Sequence, residues 1–103
     1  MSLNLQTRVV TTSPYTINKN DTLILVYRTS PSSVILPTLS GSEEENIGRS
    51  FYIKDASGTS TTNPITITAP SSKKINGVSF AMLNGAYSHI QVAYDGANWV
   101  TIA

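Results

Sequence analysis

The chain has 103 residues, 40% of them hydrophobic, which is enough to bury a core within one domain. Seven Lys or Arg residues nearly balance six Asp or Glu residues, so a net charge of +1 gives no long-range attraction to nucleic acid or anionic membranes. No cysteine is present, which excludes disulfides and cysteine-ligated metals. We therefore expect a single module over residues 1–103 with no nucleic-acid partner. The longest apolar run, 23–27, is far too short to span a membrane, so we expect no membrane insertion.

Strand-like runs follow one another along the chain, and no segment has a convincing helical pattern. Each run is rich in β-branched and aromatic residues and is bounded by Gly, Pro, Asn, Asp or Ser, which is typical of sandwiches and barrels. This pattern predicts an all-β fold, a small antiparallel β-sandwich or jelly-roll-like domain. The predicted strands are 6–11, 22–29, 33–36, 49–55, 64–69, 78–83, 86–94 and 99–102.

The strands differ in which of their faces are apolar. In TLILVYR (22–28) both faces are apolar, which predicts a central strand. PITITAP (64–70) alternates instead, so Ile65 and Ile67 are expected to point inward. Its two prolines mark an edge strand or the strand ends.

Two Asn-Gly pairs predict tight turns in the C-terminal third, because both central residues of a type I′ turn need positive φ. A two-residue loop at 84–85 places Met82 opposite Tyr87 and Phe80 opposite His89. An odd-length turn after Tyr94 then adds Trp99, the only tryptophan, to the same face.

That second face is aromatic and apolar, whereas a small domain has only one core to offer. We therefore expect a neighbouring subunit to cover it. The candidate subunit-interface residues are Phe80, Met82, Tyr87, His89 and Trp99.

Candidate catalytic and metal-binding groups are few. His89 is the only histidine, and a catalytic triad would need it beside Asp55 or Asp95, but no serine lies in a Gly-x-Ser-x-Gly motif. The consecutive carboxylates of Glu43–Glu45 lack the alternating ligand pattern of a calcium loop and are typical of a solvated loop. We expect no enzymatic activity, no metal and no cofactor.

Ligand contact is the other possibility for the exposed aromatic and basic residues. Tyr52, Tyr87 and Trp99 could stack on sugar rings, although aromatic residues within strands more often make core or subunit contacts. Lys73 and Lys74 are either a solvated pair or a contact for acidic glycans. The candidate receptor or glycan contacts are Tyr52, Lys73 and Lys74.

A series of short motifs runs through most of the chain in a fixed order. It comprises Leu36-Pro37, Gly48, Ile53-Lys54-Asp55, Ser57-Gly58, the strand 63–67, Asn76-Gly77 and the terminal 94–99. This order resembles a β-rich module of fibre, tail-fibre and spike-like proteins of phages and other viruses. The segment SPYTINKNDTLILV (13–26) also resembles the entry strands of that module, so the resemblance covers the chain from about Tyr15 onward. The acidic insert at 42–46 departs from the module, which usually has a short polar loop there.

The resemblance implies a non-enzymatic fibre head or tip on the virion surface, which trimerises and attaches to a host-surface receptor, of glycan type. Two alternatives stay open: a purely structural trimerisation, capping or decoration module of a virion fibre, and a carbohydrate-binding module of a secreted enzyme. The first two predict a homotrimer, and the third predicts a monomer with an exposed aromatic strip.

Overall fold

The structure, a computed structural model, describes residues 6–39 and 47–102. Within these ranges the chain forms strands and turns. They contain no helix, and hence none long and apolar enough to span a membrane. The all-β prediction is confirmed. Each predicted strand is present, with ends that differ by up to three residues, and one short strand that was not predicted lies at 15–16. The strands are β1 (Thr7–Val10), β2 (Tyr15–Thr16), β3 (Leu23–Val26), β4 (Ser32–Ile35), β5 (Ser50–Asp55), β6 (Ile65–Thr68), β7 (Phe80–Leu83), β8 (His89–Tyr94) and β9 (Trp99–Thr101).

The strands form two sheets. A five-stranded sheet has the order β1-β3-β5-β8-β9, and a four-stranded sheet has the order β2-β4-β6-β7. The β3 strand lies between β1 and β5, as its two apolar faces predict. The β6 strand lies between β4 and β7, so the prolines at 64 and 70 mark its ends and not a sheet edge.

The prediction of an antiparallel sandwich or jelly-roll-like domain was wrong about the pairing, because both sheets are mixed. The pairs β1·β3, β3·β5, β2·β4 and β4·β6 are parallel, and the pairs that include β7, β8 or β9 are antiparallel. The chain alternates between the sheets from β1 to β6, so each return to a sheet comes after a strand in the other one. Such a return can run in the same direction as before, which gives parallel neighbours.

One core lies between the two sheets, an arrangement consistent with a β-sandwich. The five-stranded sheet contributes Phe51, Ile53 and Val92, which alternate along their strands with residues that point away from the core. The four-stranded sheet contributes Ile65 and Ile67, as predicted.

The two Asn-Gly pairs have different structures. Asn76 and Gly77 have φ of 53° and 80°, and Ile75 and Val78 exchange hydrogen bonds of 2.8 and 3.0 Å across them, so the predicted turn is confirmed. The predicted hairpin at Asn84-Gly85 was wrong. Residues 84–88 instead connect β7 in the four-stranded sheet to β8 in the five-stranded sheet.

Candidate functional site

The outer face of the five-stranded sheet is the side that points away from the core. Strand pairing arranges its side chains in rows, one of which runs from Val9 through Leu25 and Lys54 to His89. We call this surface the outer face, and its strand residues in the described part of the chain are Thr7, Val9, Leu23, Leu25, Ser50, Tyr52, Lys54, His89, Gln91, Ala93 and Val100.

The outer face carries an apolar patch beside polar residues such as Ser50, Lys54 and Gln91. Val9 is 57% exposed and Val100 36%, and Leu23, Leu25 and Tyr52 are half-buried although they point away from the core. No carboxylate is present among the described residues of this face. Parallel strands are usually apolar on both sides because both sides are covered, and β3 follows that pattern. The apolar patch around β3 is the part of the outer face that favours a contact with another surface.

Tyr87 lies at the end of the outer face, beside Lys54. The Lys54 ammonium donates a hydrogen bond to the Tyr87 carbonyl oxygen and lies 5.8 Å from the centroid of the tyrosine ring, within range of a cation–π contact. His89 is the cross-strand neighbour of Lys54 and is exposed. Two predicted interface residues, Tyr87 and His89, thus lie at one end of the outer face.

Asp55 ends β5 and points to the opposite side of the sheet, where it is 1% exposed. Its Oδ2 accepts hydrogen bonds from the backbone N–H groups of Ser60 and Tyr87 at 3.0 and 3.1 Å, and its Oδ1 accepts one from Gly58 at 3.0 Å. Burial raises the pKa of Asp55, but the hydrogen bonds from Ser60, Tyr87 and Gly58 outweigh it and hold the pKa below its ordinary value of 3.8. The carboxylate therefore joins the turn after β5 to the connection between β7 and β8.

Gly58 packs directly under the ring of Tyr87, and this contact can be tested. A Cβ on Gly58 would lie 2.4 Å from Tyr87 Cζ, and the glycine has φ of +78°. Gly58→Ala is therefore expected to cost about 1 to 3 kcal/mol of unfolding free energy, measured by denaturant titration, from backbone strain and displacement of the ring.

Gly77→Ala is the matched control, because Gly77 has φ of +80° and nothing within 4 Å of its added Cβ. It reports backbone strain alone, so Gly58→Ala should cost more. When Tyr87 is also replaced by Ala, Gly58→Ala and Gly77→Ala should lower the free energy of unfolding by equal amounts. A difference that persists there would mean that the ring of Tyr87 is not the obstacle.

Trp99 is in the core of its own chain, which corrects the prediction that it lies on a second surface. It pairs with Tyr94, and the connection of four residues between them (95–98) is even in length, whereas the prediction assumed an odd one. Trp99 therefore shares the inner face with Tyr94 and is 1% exposed. Its ring centroid lies 5.3 Å from that of Tyr94 and 5.8 Å from that of Phe51. The indole has almost no surface left for a contact with a second subunit.

Phe80 and Met82 lie on a different surface from Tyr87 and His89. They pair with Thr68 and Thr66 of β6, on the side of the four-stranded sheet that faces away from the core. They are 47% and 42% exposed. The predicted set of interface residues is thus divided among the core and two opposite surfaces.

The candidate glycan contacts do not form one pocket. Tyr52 is half-buried on the outer face, whereas Lys73 and Lys74 precede the turn at 76–77, where Lys74 accepts a backbone hydrogen bond from Trp99. Lys73 lines a cleft of about 20 Å³, together with Pro37, Thr38, Leu39, Pro70, Ser71, Tyr94 and Trp99. That volume holds about one water molecule and no sugar ring.

The groups needed for a triad are not brought together. His89 is exposed on the outer face, whereas Asp55 points to the inner side and Asp95 accepts hydrogen bonds from Ala97 and Asn98 in its own turn. In residues 6–39 and 47–102 no group of three or more His, Asp or Glu side chains could hold a metal ion. Glu43–Glu45 lie outside the described residues.

The apolar residues of the outer face are not among the candidate site residues predicted from the sequence. Val9, Leu23, Leu25 and Val100 belong to it. The sequence signal for this surface is TLILVYR (22–28), whose leucines make the strand apolar on both sides and which also predicts its central position. Neither protein-family models nor the curated proteins gave a match to this chain.

Proposed function

We propose that this chain is the head or tip module of a viral or phage fibre, which assembles as a homotrimer and attaches to a glycan-type receptor on the host surface. The motif order from Leu36-Pro37 to Trp99 supports the fibre assignment by resemblance. The single structural observation that supports the assembly is the outer face, whose apolar patch includes Val9, Leu23 and Leu25 and which holds no described carboxylate. In the proposed trimer, the outer face is the subunit contact.

A second candidate is a structural trimerisation or capping module with no receptor of its own. The burial of Trp99 favours it, since the strongest aromatic platform for a sugar is inside the core. The cleft beside Lys73 is also too small for a sugar ring. Both candidates require the trimer and differ only in receptor binding.

The mass in solution is the first test of the proposed trimer. Light scattering at micromolar concentration is expected to give three times the chain mass of 11.1 kDa. Assembly is expected to bury the outer face, and burial of its apolar side chains away from water favours association. A monomer at this concentration would overturn both viral candidates, and glycan binding by that monomer would identify a carbohydrate-binding module.

Two single substitutions locate the subunit contact. Val9→Lys places a charge on the outer face at a site 57% exposed, so the fold should persist while the trimer dissociates. Met82→Lys places the same charge on the opposite surface at a site 42% exposed and should leave the trimer intact. Dissociation by Met82→Lys alone would place the contact on the four-stranded sheet and contradict the outer-face assignment.

Receptor binding separates the two viral candidates. The wild-type trimer is expected to bind on a glycan array or to host cells, and Lys73→Ala with Lys74→Ala to weaken that binding without changing the trimer mass. If neither the wild type nor the double variant binds glycans or cells while both remain trimeric, the result supports the structural trimerisation or capping module. Thus failure of attachment and failure of assembly give different results.

A further inference from the structure

The two Asn-Gly dipeptides of the chain have very different surroundings. Asn76-Gly77 forms a closed turn between Ile75 and Val78, whereas Asn84-Gly85 lies in the open connection between the two sheets. We propose that Asn84 deamidates spontaneously in the folded protein, while Asn76 is protected by its hydrogen bonds.

The reaction uses only the chain and water. The Gly85 backbone nitrogen attacks Cγ of Asn84, a C–N bond forms, and the side-chain nitrogen leaves as ammonia, which carries away the proton lost from the glycine nitrogen. The resulting succinimide ring takes up one water and opens at either carbonyl. The products are Asp or isoaspartate at position 84, and no electrons are exchanged with any other group.

In the setting of Asn84 no hydrogen bond from the described part of the chain holds either reacting group in place, although Gly85 is half-buried. Asn84 is exposed directly after β7. Within the described residues, neither its side-chain amide nor the Gly85 N–H makes a hydrogen bond. The space around Gly85 is open as well, since an added Cβ would meet only Ser88 Cβ at 3.8 Å. The Asn84 side chain is therefore free to rotate toward the Gly85 nitrogen.

Asn76 has the same dipeptide chemistry but a fixed side chain. Its Nδ2 donates to Thr101 Oγ1 at 2.7 Å, and its Oδ1 accepts from the Thr101 N–H at 3.0 Å. Its backbone N–H also donates to the carbonyl oxygen of Trp99 at 2.9 Å. The amide must leave both Thr101 contacts before its carbon can reach the Gly77 nitrogen.

Modification of Asn84 would disturb the hydrogen bonds that fix the connection between β7 and β8 (residues 84–88). The Gly85 carbonyl accepts hydrogen bonds from Ser60 Oγ at 2.6 Å and from the Ser88 N–H at 3.0 Å, and Tyr87 donates to Asp55. Isoaspartate adds a methylene to the backbone just before this segment, and either product lowers the formal net charge from +1 to 0. The connection is expected to loosen as the protein ages.

The rates at the two asparagines can be measured in one sample. The intact protein is incubated at mildly alkaline pH, digested with chymotrypsin to separate the dipeptides after Phe80, and analysed by mass spectrometry for conversion of amide to acid. Asn84 is expected to react about tenfold faster than Asn76 or more, because two hydrogen bonds must break before Asn76 can react.

Two controls make the comparison decisive. In denaturant both dipeptides lose their surroundings, so the rates should become similar. Thr101→Val removes the hydroxyl that holds Asn76 Nδ2, and it should accelerate Asn76 while leaving Asn84 unchanged. Equal rates in the folded wild type, or faster reaction at Asn76, would overturn the proposal.

Discussion

Trp99→Ala is expected to lower the free energy of unfolding by about 3 to 5 kcal/mol, because it removes a fully buried indole and leaves a cavity. Trp99 is 1% exposed and makes tilted ring contacts with Phe51 and Tyr94. Its backbone also donates to the Lys74 carbonyl oxygen, which holds the segment before the 76–77 turn against β9. Since Trp99 is the only tryptophan, unfolding should be followed by circular dichroism and not by fluorescence.

Val100→Ala is the matched control for this substitution, since Val100 is the next residue of the same strand and points to the outer face. It should cost well under the loss at Trp99 when wild type and both variants are unfolded at the same protein concentration, so that differences in concentration do not contribute to the comparison. If Trp99→Ala left stability unchanged, the indole would not be part of the core.

Strand positions were predictable from the sequence, because they depend on local alternation and on turn residues. Ile65 and Ile67 alternate with threonines and point inward, and the prolines beside them mark the ends of β6. The pairing of strands was not predictable in the same way. Whether β3 lies beside β4 or beside β5 depends on contacts between distant segments, and no local pattern distinguishes the two.

The position of Trp99 shows how one residue of turn length changes a site. Adding or removing one residue in the connection at 95–98 moves every later side chain to the other face of the sheet. The turn is closed by the Asp95 N–H, which donates to the Asn98 carbonyl oxygen at 2.9 Å, and by the Asp95 carboxylate, which accepts from Ala97 and Asn98. Asp-Gly-Ala-Asn is compatible with more than one turn length, so the sequence left the face of Trp99 undetermined.

The outer face was predictable in part. Apolar residues on both sides of β3 predict that both sides of the strand are covered. In the structure the core covers one side, where Ile24 and Val26 are buried. The other residues of the outer face come from four further strands, and their assembly into one surface follows from the strand order β1-β3-β5-β8-β9. A sequence pattern read strand by strand does not contain that order.

Asp55→Asn is expected to cost about 3 kcal/mol at neutral pH, since two hydrogen bonds to a charged group are lost. The Asn side chain can present one oxygen, but its NH₂ group would face the N–H groups of Ser60 and Tyr87 in place of Oδ2. The connection between β7 and β8 would then lose its attachment to β5. Denaturant unfolding at pH 7 measures the loss, and Asp95→Asn, at an exposed carboxylate in a turn, should cost distinctly less.

The same carboxylate predicts how stability depends on pH. The pKa of Asp55 in the folded chain lies below its ordinary value of 3.8, because the hydrogen bonds to the charged form outweigh the effect of burial. Its contribution is therefore fully present above the ordinary pKa and is lost as the pH falls through the lower, folded-state pKa. Wild type should lose stability over this acidic range, whereas Asp55→Asn should lose less, so the two free energies of unfolding should converge. Parallel curves from pH 7 down through this range would show that the charge on Asp55 does not hold the connection.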